Sequence, residues 1–113
     1  MPYGILSNHP DNHFKDWKKV YFHYCDGTGF QGTKKEPIQY GDNMIWFRGH
    51  NITVERLDDL EKKLGLFSKA EEVVVSGESA GGLAALMWTN YVTEKVQKGK
   101  VRTLADASIF YDP

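Results

Sequence analysis

Cysteine is almost absent: Cys25 is the only one in 113 residues. That excludes a framework of intrachain disulfides, so the fold must rest on a hydrophobic core. Cys25 is either a small buried hydrophobe or half of a bridge to a cysteine outside this chain. Charge of one sign is also lacking, with 14 Lys and Arg against 15 Asp and Glu and a formal net charge of −1. Nucleic acid and anionic membrane surfaces are therefore not expected as partners. No apolar run approaches the length of a membrane span. The opening residues Met1-Pro2-Tyr3-Gly4-Ile5-Leu6 have neither a basic region nor a sustained apolar region, so no secretory signal is legible there. No internal repeat is visible. Finally, all four histidines, His9, His13, His23 and His50, fall in the first half of the chain.

What is present argues for a folded domain. Hydrophobic residues make up 41% of the chain and aromatics 13%, too much apolar surface for a disordered segment. The length suits one small domain with one modest core. Residues 1–19 are polar and turn-rich, with Phe14 and Trp17 as expected anchors onto that core. Aromatic and β-branched content predicts a strand over 20–24, and Met44-Ile45-Trp46-Phe47 predicts a second over 44–47. The charged stretch 33–43 reads as a connection. Val54, Leu57, Leu60 and Leu64 recur at three- and four-residue spacing, predicting an amphipathic helix over 52–64, capped near Asn51 and ended by Gly65. Asp58 and Asp59 lie on its charged face, where solubility is their expected role. A buried-type strand over 73–76, a helix over 80–97 and a short strand over 101–105 complete the chain. The helix is expected to gather Leu83, Leu86, Met87, Tyr91, Val92 and Val96 on one side. This alternation predicts an α/β fold with a mostly parallel sheet of about four strands and flanking helices.

The chemistry-bearing stretch is Gly77-Glu78-Ser79-Ala80-Gly81-Gly82, set between the strand and the helix. Strand, Gly-x-Ser-x-Gly, helix is the pattern of a nucleophile elbow. A tight, strained turn lifts the Ser79 hydroxyl above the sheet edge, and Gly77 and Gly81 leave room where strand and helix cross. The Ala80 N–H, at the positive end of the helix dipole, is the candidate donor to an oxyanion. Chance would produce the three fixed positions in roughly 4% of chains this long at average composition, and the flanking elements lower that figure. The competing reading is a glycine-rich turn with an idle serine. A phosphate loop is disfavoured because no Gly-Lys-Ser/Thr and no Gly-x-Gly-x-x-Gly is present.

On such a sheet the acid follows the nucleophile in sequence, and the histidine follows the acid. Asp106 sits at the end of the strand after the elbow helix, where it would orient an imidazole. A turn-capping role for Asp106 stands equally open. No histidine follows it. Among the four upstream, His50 is the least unsuited to serve as a base, and the plainer reading is that the base lies outside this chain. Asp26, before Gly27 in a loop with three glycines in six residues, is read as capping its own turn.

Gly4-Ile5-Leu6-Ser7, Tyr24-Cys25-Asp26-Gly27 with Phe30 and Gly32, Phe47-Arg48-Gly49, Ser76 to Ala84, and Leu104-Ala105-Asp106-Ala107 occur in this order. The series resembles the pectin acetylesterase family, which includes the Notum-type carboxylesterases, from about Gly4 to Asp112. The resemblance implies a partial α/β-hydrolase domain and a serine carboxylesterase without metal or organic cofactor. It implies Ser79 as nucleophile, Asp106 as triad acid and Ala80 as oxyanion-hole residue. An ester substrate follows, in this family an acylated polysaccharide or a related ester.

Departures from the family pattern are equally informative. The upstream Gly-Gly-Trp segment and the downstream histidine have no counterpart here, and Glu78 stands where plant members commonly carry cysteine. Residues 1–113 are therefore expected to be the central portion of one larger domain, close to inactive alone. Family members are secreted, which the resemblance extends to the full-length protein. A non-catalytic remnant or interaction domain, and a lipid-type deacylase, are the alternatives.

Overall fold

The computed structural model describes residues 4–110. Residues 1–3, which open the N-terminal stretch without a legible signal, and 111–113, at the end of the region of resemblance, lie outside them. After a short 3-10 turn at Gly4–Leu6, the elements are β1 (Ile38–Tyr40), β2 (Asn43–Ile45), α1 (Gly49–Leu64), β3 (Glu72–Glu78), α2 (Ala80–Lys95) and β4 (Lys100–Asp106).

The α/β reading holds in a smaller form. β3 and β4 pair in parallel, in register from Glu72 opposite Lys100 to Glu78 opposite Asp106. Val73, Val75 and Gly77 alternate toward α2 along with Val101, Thr103 and Ala105, while the intervening residues face away. α2 packs along both strands. The expected four-stranded sheet is not formed among the described residues. β1 and β2 form a separate antiparallel hairpin, closed by Gly41 at φ 58 in a two-residue turn. Residues 20–24 are not a strand: they run irregularly, with Phe22 against the core and Val20, Tyr21 and Tyr24 exposed. Strand propensity describes fit to a pleated, partnered surface, and no described strand pairs with this segment.

The core is Leu57 of α1, Phe67 after it, and Ala84, Trp88 and Val92 of α2. The predicted stripe of α1 is half right at its end: Leu57 is buried, Val54 and Leu60 pack against the core, and Leu64 is 44% exposed. Gly65 ends the helix at φ 69, ψ 40, donating to the Glu61 carbonyl at 2.9 Å. On α2 the buried face differs from the predicted one. Gly82, Ala84, Ala85, Trp88 and Val92 are buried, whereas Leu83, Leu86 and Met87 are exposed. The helix is apolar nearly all round, so periodicity gave no direction. Close approach to the sheet selects the small residues instead. Phe14 and Trp17 pack edge-to-face on each other at 5.0 Å rather than joining the core cluster. Cys25 is exposed, which removes its reading as a buried hydrophobe.

Both helices end on the same side of the molecule. The N–H of Gln97, just past α2, donates to the carbonyl of Phe67, just past α1, at 2.8 Å. The Glu61 carboxylate reinforces that end by accepting the N–H groups of Phe67 and Ser68 at 2.6 and 3.1 Å.

Candidate active site

β3 ends and α2 begins without an intervening loop, so one residue must reverse the chain. That residue is Ser79, at φ 54 and ψ −120. A non-glycine residue here is strained by about 1–3 kcal/mol and persists only where its surroundings over-determine it. The surroundings do so from three directions. The Ser79 N–H donates to the Asp106 carbonyl at 2.9 Å, and the Ser79 carbonyl accepts the N–H groups of Gly82 and Leu83 at 3.0 and 3.1 Å. The Ser108 hydroxyl donates to the same carbonyl at 3.2 Å.

A serine preceding a helix ordinarily spends its hydroxyl on a first-turn N–H. Ser79 makes no such bond, and the residue is exposed. Its hydroxyl is left available to solvent at the start of a 16-residue helix. Ala80 is the first residue of that helix, where N–H groups have no intrahelical partner.

The glycines divide differently from the sequence expectation. A Cβ on Gly77 would fall on the Gly81 carbonyl, so Gly77 is what allows strand and helix to cross. A Cβ on Gly81 would meet open space. The second position that needs glycine is Gly82, buried, where a Cβ would collide with the Ser108 side chain. Sequence reading missed both Gly82 and Ser108. The doubled glycine at 81–82 was the available signal for the first, and nothing local marks the second.

Asp106 ends β4 beside Glu78 and is exposed. Parallel pairing therefore brings Ser79 and Asp106 to the same end of adjacent strands, joined through backbone. The histidines lie elsewhere. His9 accepts the Asp11 N–H at its Nδ1 at 3.3 Å, His13 lies edge-on to Phe14, His23 is exposed, and His50 packs on Trp88 with ring centres 4.8 Å apart. Among the described residues no hydrogen bond or ion pair joins a histidine to Ser79 or Asp106, and no three His, Cys, Asp or Glu side chains converge as a metal site.

Asp26 has a larger structural role than its own turn. Its carboxylate accepts the Thr28 N–H and hydroxyl at 3.2 and 2.7 Å, and also the Gly49 N–H at 2.5 Å. It thereby caps α1 from a distant loop, since Arg48, the residue before the helix, supplies no side-chain cap. Burial pushes its pKa up, but the bonds from Thr28 and Gly49 outweigh that and hold the carboxyl below its usual range. Phe30, at φ 62, anchors the same loop to α2 by accepting the Trp88 indole N–H at 3.2 Å.

Comparison with known proteins turns this local geometry into a family assignment. The Pectinacetylesterase family model matches residues 2–113. The chain belongs to the pectinacetylesterase family. Among curated relatives, it is 34% identical over 110 residues to pectin acetylesterase 5 of Arabidopsis thaliana, covering 95% of this chain and 25% of that protein. It is 32% identical over 97 residues to the palmitoleoyl-protein carboxylesterase NOTUM of Schmidtea mediterranea, covering 84% of this chain and 18% of that one. For human NOTUM the figures are 32% over 118 residues, 96% and 22%. The chain thus spans about a quarter or less of these relatives. No solved structure matches it. Among the described residues no helix is long and apolar enough to cross a membrane.

Proposed function

We propose that this chain is the nucleophile-and-acid portion of a serine carboxylesterase domain of α/β-hydrolase type, acting on an acylated polysaccharide or a related ester. The observation that carries the reading is Ser79. A strained, exposed serine at a strand-to-helix turn, its hydroxyl uncommitted to capping, is the arrangement a nucleophile elbow requires. In this reading Ser79 Oγ attacks the ester carbonyl while its proton passes to a histidine outside residues 1–113, oriented by Asp106. The Ala80 N–H stabilises the developing oxyanion. Collapse releases the alcohol and leaves an acyl-serine, which water hydrolyses to the free acid. The plant relatives support acetate as the acyl group.

Without its histidine the segment is expected to be nearly inactive alone. Two surface depressions run along α1, one lined by Arg48, His50 and Arg56 and the other by Phe22, Phe30 and Leu60; neither includes Ser79 or Asp106. The NOTUM relatives favour a second reading, a lipid-type deacylase on the same machinery.

The test is covalent labelling of the full-length protein by a fluorophosphonate, with hydrolysis of acetyl and long-chain acyl esters measured in parallel. Labelling and hydrolysis should both disappear in Ser79→Ala. Retention of either in that variant would sink the proposal. Preference for the long-chain ester would select the second reading.

A further inference from the structure

Of the five asparagines, Asn8, Asn12, Asn43, Asn51 and Asn90, only Asn51 is followed two places on by a hydroxyl residue. Asn51-Ile52-Thr53 is thus the one acceptor pattern for an N-linked glycan in the chain, with no proline in the middle to block it. A pattern this short often arises by chance, so the fold has to show room for a sugar. Asn51 is in the first turn of α1, the helix that starts at Gly49. Its amide oxygen is enclosed and has no hydrogen-bond partner, whereas its Nδ2, the atom that would carry the sugar, donates to no described residue and stays open to solvent. Asn51 and the exposed Ile52 line an open depression of about 660 Å³ at the start of the helix. His50, beside them, packs on Trp88. Trp88 lies nine residues past Ser79, about 14 Å along the axis of α2, so a glycan here stands away from the elbow.

Thr53 has the opposite disposition. It is 5% exposed, and its hydroxyl donates to the Gly49 carbonyl at 2.8 Å. The transferase that adds the glycan has to recognise that hydroxyl, and the folded helix withholds it. The sugar must therefore be added to the extended chain, before α1 closes.

We propose that Asn51 carries an N-linked glycan in the full-length protein, added during synthesis in the secretory pathway that the family resemblance implies. Asn51 Nδ2 attacks the anomeric carbon of an N-acetylglucosamine-headed oligosaccharide held on a lipid diphosphate. The C–N bond forms, the bond from that carbon to the diphosphate oxygen breaks, the lipid diphosphate leaves, and Nδ2 gives up one proton. The product is a bulky, solubilising group over the exposed first turns of α1. The site lies outside the esterase machinery, and the inference stands whether or not Ser79 is the nucleophile.

The experiment expresses the full-length protein in a eukaryotic secretory host, digests it with peptide-N-glycosidase in ¹⁸O-water and reads the peptide containing residue 51 by mass spectrometry. Most secreted parent molecules should yield that peptide labelled with ¹⁸O. Thr53→Ser keeps the hydroxyl and should keep the glycan, whereas Thr53→Ala should lose it. Asn51→Gln should migrate faster in a denaturing gel by one glycan, which keeps the test open if Thr53→Ala is not secreted. Its fluorophosphonate labelling should match the parent's. An unmodified Asn51 peptide in the secreted parent would overturn the inference. So would a glycan that persists in Thr53→Ala, or a full-length protein that never enters the pathway. None of these readouts depends on which residues complete the esterase site.

Discussion

Gly77 and Gly81 occupy equivalent places in the Gly-x-Ser-x-Gly pattern, yet alanine at each should act in opposite directions. A methyl group on Gly77 would lie on the Gly81 carbonyl and 2.8 Å from the Gly82 nitrogen. Both obstacles are backbone, so no rotamer change relieves them, and β3 and α2 must separate. Overpacking of this kind costs about 1–3 kcal/mol. The rigidity of the obstacles puts Gly77→Ala at the upper end, about 3 kcal/mol. A methyl group on Gly81 meets nothing within 4 Å and lies in the first turn of α2. Replacing glycine by alanine in such a helix gains about 0.5–1 kcal/mol. Urea denaturation of the full-length protein, followed by tryptophan fluorescence, measures both. Equal destabilisation by the two variants would refute the reasoning. So would a Gly77→Ala protein as stable as its parent.

Two other perturbations test the scaffold behind the elbow. Asp26→Ala removes three acceptor bonds and the cap of α1, and should cost about 1–2 kcal/mol. Because the folded pKa of Asp26 is lowered, its contribution should be complete above the ordinary carboxylate pKa of about 4. It should fade as pH falls below that value toward the folded one. The parent's advantage over Asp26→Asn in urea, measured from pH 7 down to 3, should shrink along that course; a constant difference would contradict it. Trp88→Ala empties the core and orphans the Phe30 carbonyl, a loss of about 3–5 kcal/mol. Trp88→Phe should lose about 1 kcal/mol, and a Trp88→Ala effect below that would show the core to lie elsewhere.

The C-terminal half was largely legible in sequence because its signals are local. Val73-Val74-Val75 and the alanine-rich run after Gly82 name their elements without help from distant residues. Asp106 emerged at a strand end because the strand before it was found. The N-terminal half was not legible in the same way. Val20–Tyr24 has strand composition, but composition cannot supply a partner. The hairpin at Ile38–Ile45 did leave a trace, a Gly-Asp pair between short apolar segments, which the surrounding lysines and glutamate obscured. The α1 cap was invisible because Asp26 reaches Gly49 across a fold rather than along a helix. Ser108 was hidden for the same reason: its partners are carbonyls, and carbonyls are common to every sequence.

The bond from the Ser79 N–H to the Asp106 carbonyl sets an order of events during folding. α2 forms from local contacts, which are made early, whereas β3 pairs only with β4 among the described strands. The strained residue between β3 and α2 lacks the partner of its N–H until β4 docks, because β4 carries the carbonyl that accepts it. A chain interrupted before Lys100 would lack that carbonyl and leave the Ser79 N–H without its partner. Exchange of the Ser79 amide hydrogen with solvent is therefore a clock for the docking of β4, and it reports completion of the elbow rather than formation of the helix.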